Sequence, residues 1–254
     1  MRRLILFAFI VFTGCKGGVD KTLEQVVEET YPLNAGGVLH VRNDDGSIRL
    51  FGSSAPELHV KAIKRAYSSE RLRALAMHVT PQDDSVSIET TSPPKSKWGL
   101  RDRSGTIDYI ITMPEHMKTI DVELVTGEIS VDGLREGNFA ARLTNGRVSA
   151  RNCFANLDCK GSSGAIDFYY DWWEASQHLV KAMIPNGSIG LFLPRAASFQ
   201  VDAETKGGDI TGNMIDEDET MPHHRKRLST KLGLEPGPRF QFRTVKGNIR
   251  LHGY

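Results

Sequence analysis

Seven copies of one tripeptide, glycine followed by any residue and then isoleucine or valine, define a repeat in this chain of 254 residues. The copies are Gly46-Ser47-Ile48, Gly127-Glu128-Ile129, Gly146-Arg147-Val148, Gly164-Ala165-Ile166, Gly187-Ser188-Ile189, Gly208-Asp209-Ile210 and Gly247-Asn248-Ile249. From the second copy onward they are 19, 18, 23, 21 and 39 residues apart. Such spacing is typical of architectures that stack one short unit on the next. The tripeptide therefore predicts a repeat array.

The residues around each copy alternate between apolar and polar. Phe139, Ala141 and Leu143 alternate before the third copy, and Ile189 and Leu191 alternate within and after the fifth. A period of two indicates strands with one buried face and one solvated face. The sequence therefore predicts an all-β protein.

The glycine of each copy marks a change of chain direction. Turn-forming residues such as Asn145, Asn186 and Gly207 precede it, and glycine reaches positive φ values at little cost. The turn fits an antiparallel β-meander with Asn-Gly hairpins, or one corner of a β-solenoid. The near-constant spacing and the like-for-like apolar replacements favour the single-domain solenoid, with coils of about 20 residues.

Two interruptions of the repeat predict insertions. We expect residues 53–120 to cover the N-terminal end of the array, where an open strand edge would otherwise pair with another chain. The pattern there predicts strands Glu57 to Lys64, Ser85 to Thr90 and Thr106 to Met113, a short helix near Ser69 to Met77, and a basic solvated loop from Pro93 to Arg103. Residues 213–238 predict a charged loop that explains the doubled last interval.

The N-terminus has the features of an export signal. Arg2 and Arg3 precede an apolar run of nine residues, which is too short to span a membrane. The ending Phe12-Thr13-Gly14-Cys15 resembles the lipobox of bacterial lipoprotein signal peptides. The resemblance implies that residues 1–14 are removed, that Cys15 receives lipid, and that the protein is held in the bacterial cell envelope. Residues 15–28 would then form a tether.

The stretch from Glu29 to Gly52 resembles the opening of the bacterial putative-adhesin repeat domain family. Its Gly36-Gly37 turn and Asn43-Asp44-Asp45-Gly46-Ser47-Ile48 segment carry the resemblance, and Leu143-Thr144-Asn145-Gly146-Arg147-Val148 is similar to a later repeat of that family. The resemblance covers residues 29–254. It implies a β-solenoid and attachment at the cell surface.

Two groups of residues stand out as candidate sites. Tyr169, Tyr170, Trp172 and Trp173 form an aromatic cluster that would either stack on a ligand such as a sugar or pack in the core. Cys153 and Cys159 allow a disulfide in an oxidising compartment, or two buried thiols.

The remaining composition argues against several functions. A formal net charge of +1 gives no electrostatic case for nucleic acid. We find no hydrolase, metalloprotease or phosphate-loop motif, and the adjacent His223 and His224 make a poor metal site. Asp158, Asp167, Asp171, Asp202 and Asp209 fall at outward or turn positions. We therefore expect a surface binding module without cofactor, metal or catalysis, whose partner is an envelope protein or a glycan. An envelope-scaffolding lipoprotein and a carbohydrate-active β-helix enzyme are the alternatives.

Overall fold

The computed structural model describes residues 22–92, 105–215, 225–233 and 236–254. The signal segment with Cys15, the basic loop from Pro93 to Arg103, and the His223-His224 pair all lie outside the described residues.

The described part of the chain is almost entirely β-structure. It contains the strands β1 (Leu23–Pro32), β2 (Val38–Ser53), β3 (Glu57–Ala66), β4 (Ala76–Gln82), β5 (Ser85–Thr91), β6 (Thr106–Pro114), β7 (His116–Asp132), β8 (Glu136–Arg151), β9 (Asn156–Tyr169), β10 (Leu179–Leu193), β11 (Phe199–Thr205), β12 (Ile210–Thr211), β13 (Arg227–Leu232), β14 (Arg239–Lys246) and β15 (Ile249–Gly253), and one helix, α1 (Ser69–Ala74). No helix in these ranges is long and apolar enough to cross a bilayer.

Five long strands form the centre of one large sheet. Strands β2, β7, β8, β9 and β10 follow one another in that order, and every neighbouring pair among them is parallel. Parallel neighbours exclude a meander, which joins antiparallel strands by tight hairpins. The fold is all-β, with a mostly parallel, solenoid-like sheet.

The register aligns all seven copies of the tripeptide. Gly46 pairs with Gly127, Gly127 with Gly146, Gly146 with Gly164, and Gly164 with Gly187. The third residues of the seven copies are all at most 1% exposed: Ile48, Ile129, Val148, Ile166, Ile189, Ile210 and Ile249. Each of these side chains packs in the core at the height of its counterpart in the next strand, which is the stacking that the constant spacing predicts.

The glycines themselves form a column that has no room for side chains. A Cβ built on Gly146 would lie far inside van der Waals contact of the carbonyl oxygen of Gly127, and one on Gly164 would meet the carbonyl oxygen of Gly146 in the same way. Gly127, Gly146 and Gly164 also have φ values of 138°, 137° and 129°. Both the backbone conformation and the close approach of neighbouring strands therefore require glycine.

The C-terminal copies stack in a different order from their order in the sequence. Ile249 of β15 pairs with Ile189 on one side and with Ile210 on the other. The last copy thus lies between the fifth and the sixth. Strand β14 likewise lies between β10 and β11, and β13 pairs antiparallel with the outer edge of β11. The segment predicted as a charged loop therefore contains a strand, β13. The last interval is doubled because the chain first forms β13 at the outer edge of the sheet and then returns to place β14 between β10 and β11.

The N-terminal insertion lies at the opposite end of the sheet. Its strands β5 and β6 pair in parallel with the first and second halves of β2, and β3 and β4 add antiparallel edges. Strand β1 begins at Leu23 and pairs with β3 along its length, so ordered structure starts within the segment predicted as a tether.

Both described cysteines are buried free thiols. Cys153 Sγ donates to the carbonyl oxygen of Arg151 at 3.1 Å, and burial raises the pKa of Cys153 to about 12. Burial also raises the pKa of Cys159. The structure therefore places both residues as small core side chains with no bridge between them.

Gly146→Ala is expected to lower the free energy of unfolding by roughly 3 kcal/mol or more, because it adds backbone strain to a collision with Gly127. Gly36→Ala is the matched control: Gly36 has a φ of 82°, but nothing lies within 4 Å of its added Cβ, so a loss of about 1 kcal/mol is expected. Urea unfolding of both variants measures the difference. Equal losses would show that the close approach in the glycine column has no energetic weight.

Native Cys153 and Cys159 should resist alkylation, because the thiolate is the reactive form and burial disfavours it. A Cys15→Ser variant treated with iodoacetamide at mildly alkaline pH should gain no label when folded and two labels after unfolding in guanidinium. Mass spectrometry reads the labels. Rapid labelling of the folded protein would contradict burial, and labelling of the unfolded protein only after reduction would reveal a disulfide.

Candidate binding surface

One outward-facing row of side chains on the sheet is rich in aromatic residues. The fifth residue after the repeat glycine points outward in each long strand, and the register aligns these residues into what we call the terminal row: Phe51, Asp132, Arg151, Tyr169, Phe192 and His252. Tyr169 and Phe192 stack with ring centroids 4.8 Å apart and planes 8° apart. Phe192 and His252 are 6.1 Å apart. The row carries a continuous aromatic ladder at its β9 to β15 end.

A shallow groove of about 220 Å³ opens beside this ladder, which we call the Phe51–Tyr169 groove. Its lining is Phe51, Ser130, Val131, Asp132, Ser149, Arg151 and Tyr169. Ser130 and Ser149 are neighbours in the row just before the terminal row, where Arg49 and Asp167 flank them on the adjacent strands. The groove exists because two small side chains lie between two larger ones.

The charges in the groove are unevenly paired. Arg151 lies 3.4 Å from the carboxylate of Asp171. Asp132, in contrast, has no hydrogen bond or ion pair with any described residue. Partial burial raises the pKa of Asp132, Arg151 lowers it and Asp171 raises it further. The groove therefore contains a partly desolvated carboxylate that is available to a hydrogen-bond donor.

Asn152 holds Asp171, in the segment that follows β9, beside the groove. It is the one described non-glycine residue with a positive φ, 50°, a conformation that asparagine tolerates better than most residues. Its side chain donates to Asp171 Oδ2 at 3.0 Å and accepts from the Asp171 N–H at 2.8 Å. Its own N–H donates to the carbonyl oxygen of Tyr169 at 2.8 Å. Asn152 thereby holds Asp171 beside Arg151.

The predicted aromatic cluster divides between the surface and the core. Tyr170 is 1% exposed, and its hydroxyl has no hydrogen-bond partner among the described residues. Trp173 packs edge-on against Tyr170 with ring centroids 5.5 Å apart. Tyr169 is half-buried on the outward face, and Trp172 is 43% exposed. Only Tyr169 and Trp172 of the four are thus available to a ligand, whereas Tyr170 and Trp173 stabilise the core.

Trp172 is already engaged by its own neighbours. Its Nε1 donates to Glu174 Oε1 at 2.8 Å, and Glu174 is also paired with Arg135. The Arg135 guanidinium lies 5.8 Å from the Trp172 ring centroid. These contacts occupy both the polar edge and one face of the ring. Trp172 is therefore a weaker candidate for ligand contact than the terminal row.

The acidic residues weighed for catalysis do not form a cluster. Each has a basic partner within 4 Å: Asp158 with Lys160, Asp167 with Arg147, Asp171 with Arg151, Asp202 with Arg239 and Asp209 with Lys226. Within the described ranges, no three histidine, cysteine or acidic side chains come together as a metal-binding set.

Phe51 and Asp132 were not among the predicted site residues. They are 81 residues apart in the sequence and meet only because β2 and β7 are adjacent. A usable signal nevertheless existed: aligning the seven repeats on their glycines and reading the fifth following residue finds the whole terminal row.

Several solved structures are similar to this chain at low identity. A putative cell adhesion protein from Clostridium sporogenes is 12% identical, with 90% of this chain and 100% of that chain covered and a TM-score of 0.45. A putative adhesin from Bacteroides fragilis is 14% identical, with coverage of 89% and 96% and a TM-score of 0.32. A putative lipid binding protein from Parabacteroides distasonis is 11% identical, with coverage of 89% and 96% and a TM-score of 0.27.

No curated protein matches the chain. A family model does, and its match runs over residues 37–252, which include the whole glycine column and the whole terminal row. The protein therefore belongs to the Toastrack family, DUF4097.

Proposed function

We propose that this protein is a lipid-anchored module of the bacterial cell envelope that binds an external partner through the terminal row, as an adhesin does, without catalysing a reaction. The observation that carries the proposal is the aromatic ladder of Tyr169 and Phe192 beside an open groove. Exposed aromatic side chains at a preformed depression are the commonest energetic anchors of binding surfaces.

The sheet supports this role by holding the row rigid. Because neighbouring strands are in register on both sides of the glycine, each side chain of the terminal row is fixed at one strand spacing from the next. A surface ordered in advance loses little conformational entropy on binding. The row therefore resembles a preformed platform more than an adaptable loop.

The absence of catalysis is supported by the charge pattern. Asp167 and Asp171 each lie beside an arginine of a neighbouring strand. The other acids considered, Asp158, Asp202 and Asp209, also have a basic side chain within 4 Å. Glycoside hydrolases instead direct two carboxyl groups at one bond from a distance of roughly 5–10 Å. Paired, dispersed carboxylates favour a binding role over hydrolysis.

The anchor is proposed from the sequence alone. Cys15 ends a lipobox-like segment and precedes the first residue of β1 by only eight positions. A lipid at Cys15 would hold the sheet close to the membrane surface. A single lipidated cysteine carries enough buried hydrocarbon for stable attachment when it bears more than one acyl chain.

Cys15→Ser is expected to abolish lipid attachment and to release the protein from membranes. Cells expressing the full chain are labelled with radioactive palmitate and fractionated. The unchanged chain should be labelled and sediment with membranes, whereas the variant should be unlabelled and remain in the supernatant. Cys159→Ser is the control, because that buried residue should not affect labelling. Equal labelling of unchanged chain and Cys15→Ser would disprove the anchor.

Adhesion should depend on the terminal row. Cells displaying the full chain are tested for retention on mucin, fibrillar collagen and isolated peptidoglycan. We expect retention on at least one surface and a loss of about 10-fold or more in a Phe51→Ala, Tyr169→Ala double variant, which removes both aromatic walls of the groove.

Met183→Ala is the matched control for this experiment. Met183 is also large, apolar and 50% exposed, but it lies before the glycine corner, on a different outward face. Thermal melting checks that all variants fold. Retention on none of the surfaces, or equal losses in the double variant and in Met183→Ala, would refute the proposed role of the terminal row.

A further inference from the structure

The geometry points to a neutral oligosaccharide as the ligand of the Phe51–Tyr169 groove, a conclusion that rests on the proposed binding function and specifies its ligand. The groove combines aromatic walls, a hydroxyl floor and an unpartnered carboxylate in one open depression.

The aromatic walls set the width of the site. Phe51 is on β2 and Tyr169 is on β9, with β7 and β8 between them. Three strand spacings separate the two side chains by about 14 Å. Phe51 is 40% exposed, and Tyr169 is half-buried against Phe192. The C–H faces of sugar rings pack on aromatic side chains, and a span of this length fits a short oligosaccharide better than a single ring.

The floor supplies hydrogen bonds of both kinds. The hydroxyls of Ser130 and Ser149 each donate and accept, the Asp132 carboxylate accepts, and the Arg151 guanidinium donates. Sugar hydroxyls are likewise donors and acceptors. A ligand hydroxyl that donates to Asp132 would satisfy a group that has no partner among the described residues. An apolar peptide segment seated there would remove water from this carboxylate without offering it a hydrogen-bond donor, which is costly.

The local charge selects against anionic polymers. Asp132 and Asp171 are both close to Arg151, so one guanidinium faces two carboxylates. A uronic acid or a phosphate placed over Asp132 would meet a like charge. A neutral glycan avoids this repulsion and keeps the hydrogen bonds.

The surface beyond the groove predicts a preference for longer chains. From Tyr169 the terminal row continues across the strands to Phe192 and then to His252. Gly190, in the row just before, is covered by the Phe192 ring and the Asp167 carboxylate, which occupy the space that a side chain there would need. Because Tyr169 and Phe192 stack on each other, an oligosaccharide that leaves the groove at Tyr169 meets the edges of further rings along the array axis.

Calorimetric titration of the full chain in detergent micelles tests the inference. The probes are neutral hexasaccharides of glucose, mannose, galactose and N-acetylglucosamine, and the hexamer of galacturonic acid. We expect at least one neutral hexasaccharide to bind, its disaccharide to bind about 10-fold or more weakly, and the uronic hexamer not to bind.

Substitutions test whether the saccharide binds in the Phe51–Tyr169 groove. Asp132→Asn keeps the shape of the side chain and should weaken binding by about 10-fold or more, because a charged acceptor becomes a neutral one. Ser149→Phe should abolish binding by filling the groove. Trp172→Ala is the matched control, since Trp172 lies outside the groove lining, and it should leave affinity unchanged.

The outcomes separate this inference from the proposed function. Surface retention without binding of any neutral hexasaccharide would overturn the saccharide assignment and leave the binding function standing. Tighter binding of the uronic hexamer, or equal weakening by Trp172→Ala and Asp132→Asn, would also overturn it. If cells displaying the unchanged chain are retained on none of the surfaces, the proposed binding function itself is wrong.

Discussion

The close approach of backbones along the glycine column is the constraint on which the rest of the structure depends. At each corner the carbonyl oxygen of one glycine occupies the space that a Cβ of the next would need. The strands bend there while keeping the register on both sides. In consequence, the buried isoleucines stack in a column and the outward residues align in rows, so one local requirement sets both the core and the surface.

Because outward residues align in rows, residues that are far apart in the sequence become neighbours on the surface. Phe51 and Tyr169 line one groove although more than a hundred residues separate them, because each is the fifth residue after a glycine of the column. The same alignment places most charges beside an opposite charge, as Arg147 lies beside Asp167. Such exposed pairs contribute little stability individually.

Much of the architecture could be predicted because it is local or periodic. The strands, the short helix near Ser69 and the position of the N-terminal insertion follow from alternation and spacing. The stacking order at the C-terminus could not be predicted. The copies at Gly208 and Gly247 carry equivalent motifs, so either fits beside the copy at Gly187, and only the path of β13 and β14 decides between them.

The candidate site was predicted in part for a related reason. Tyr169 and Trp172 were recognised from their aromatic neighbourhood, and alternation places Tyr170 on the face of the buried Phe168. Alternation does not show that Trp173 packs on the core, since the chain after β9 leaves the repeat. The sequence by itself determined the repeat and the buried column. Only the tertiary structure decided which outward residues share a groove, because lateral contacts depend on which strands become neighbours.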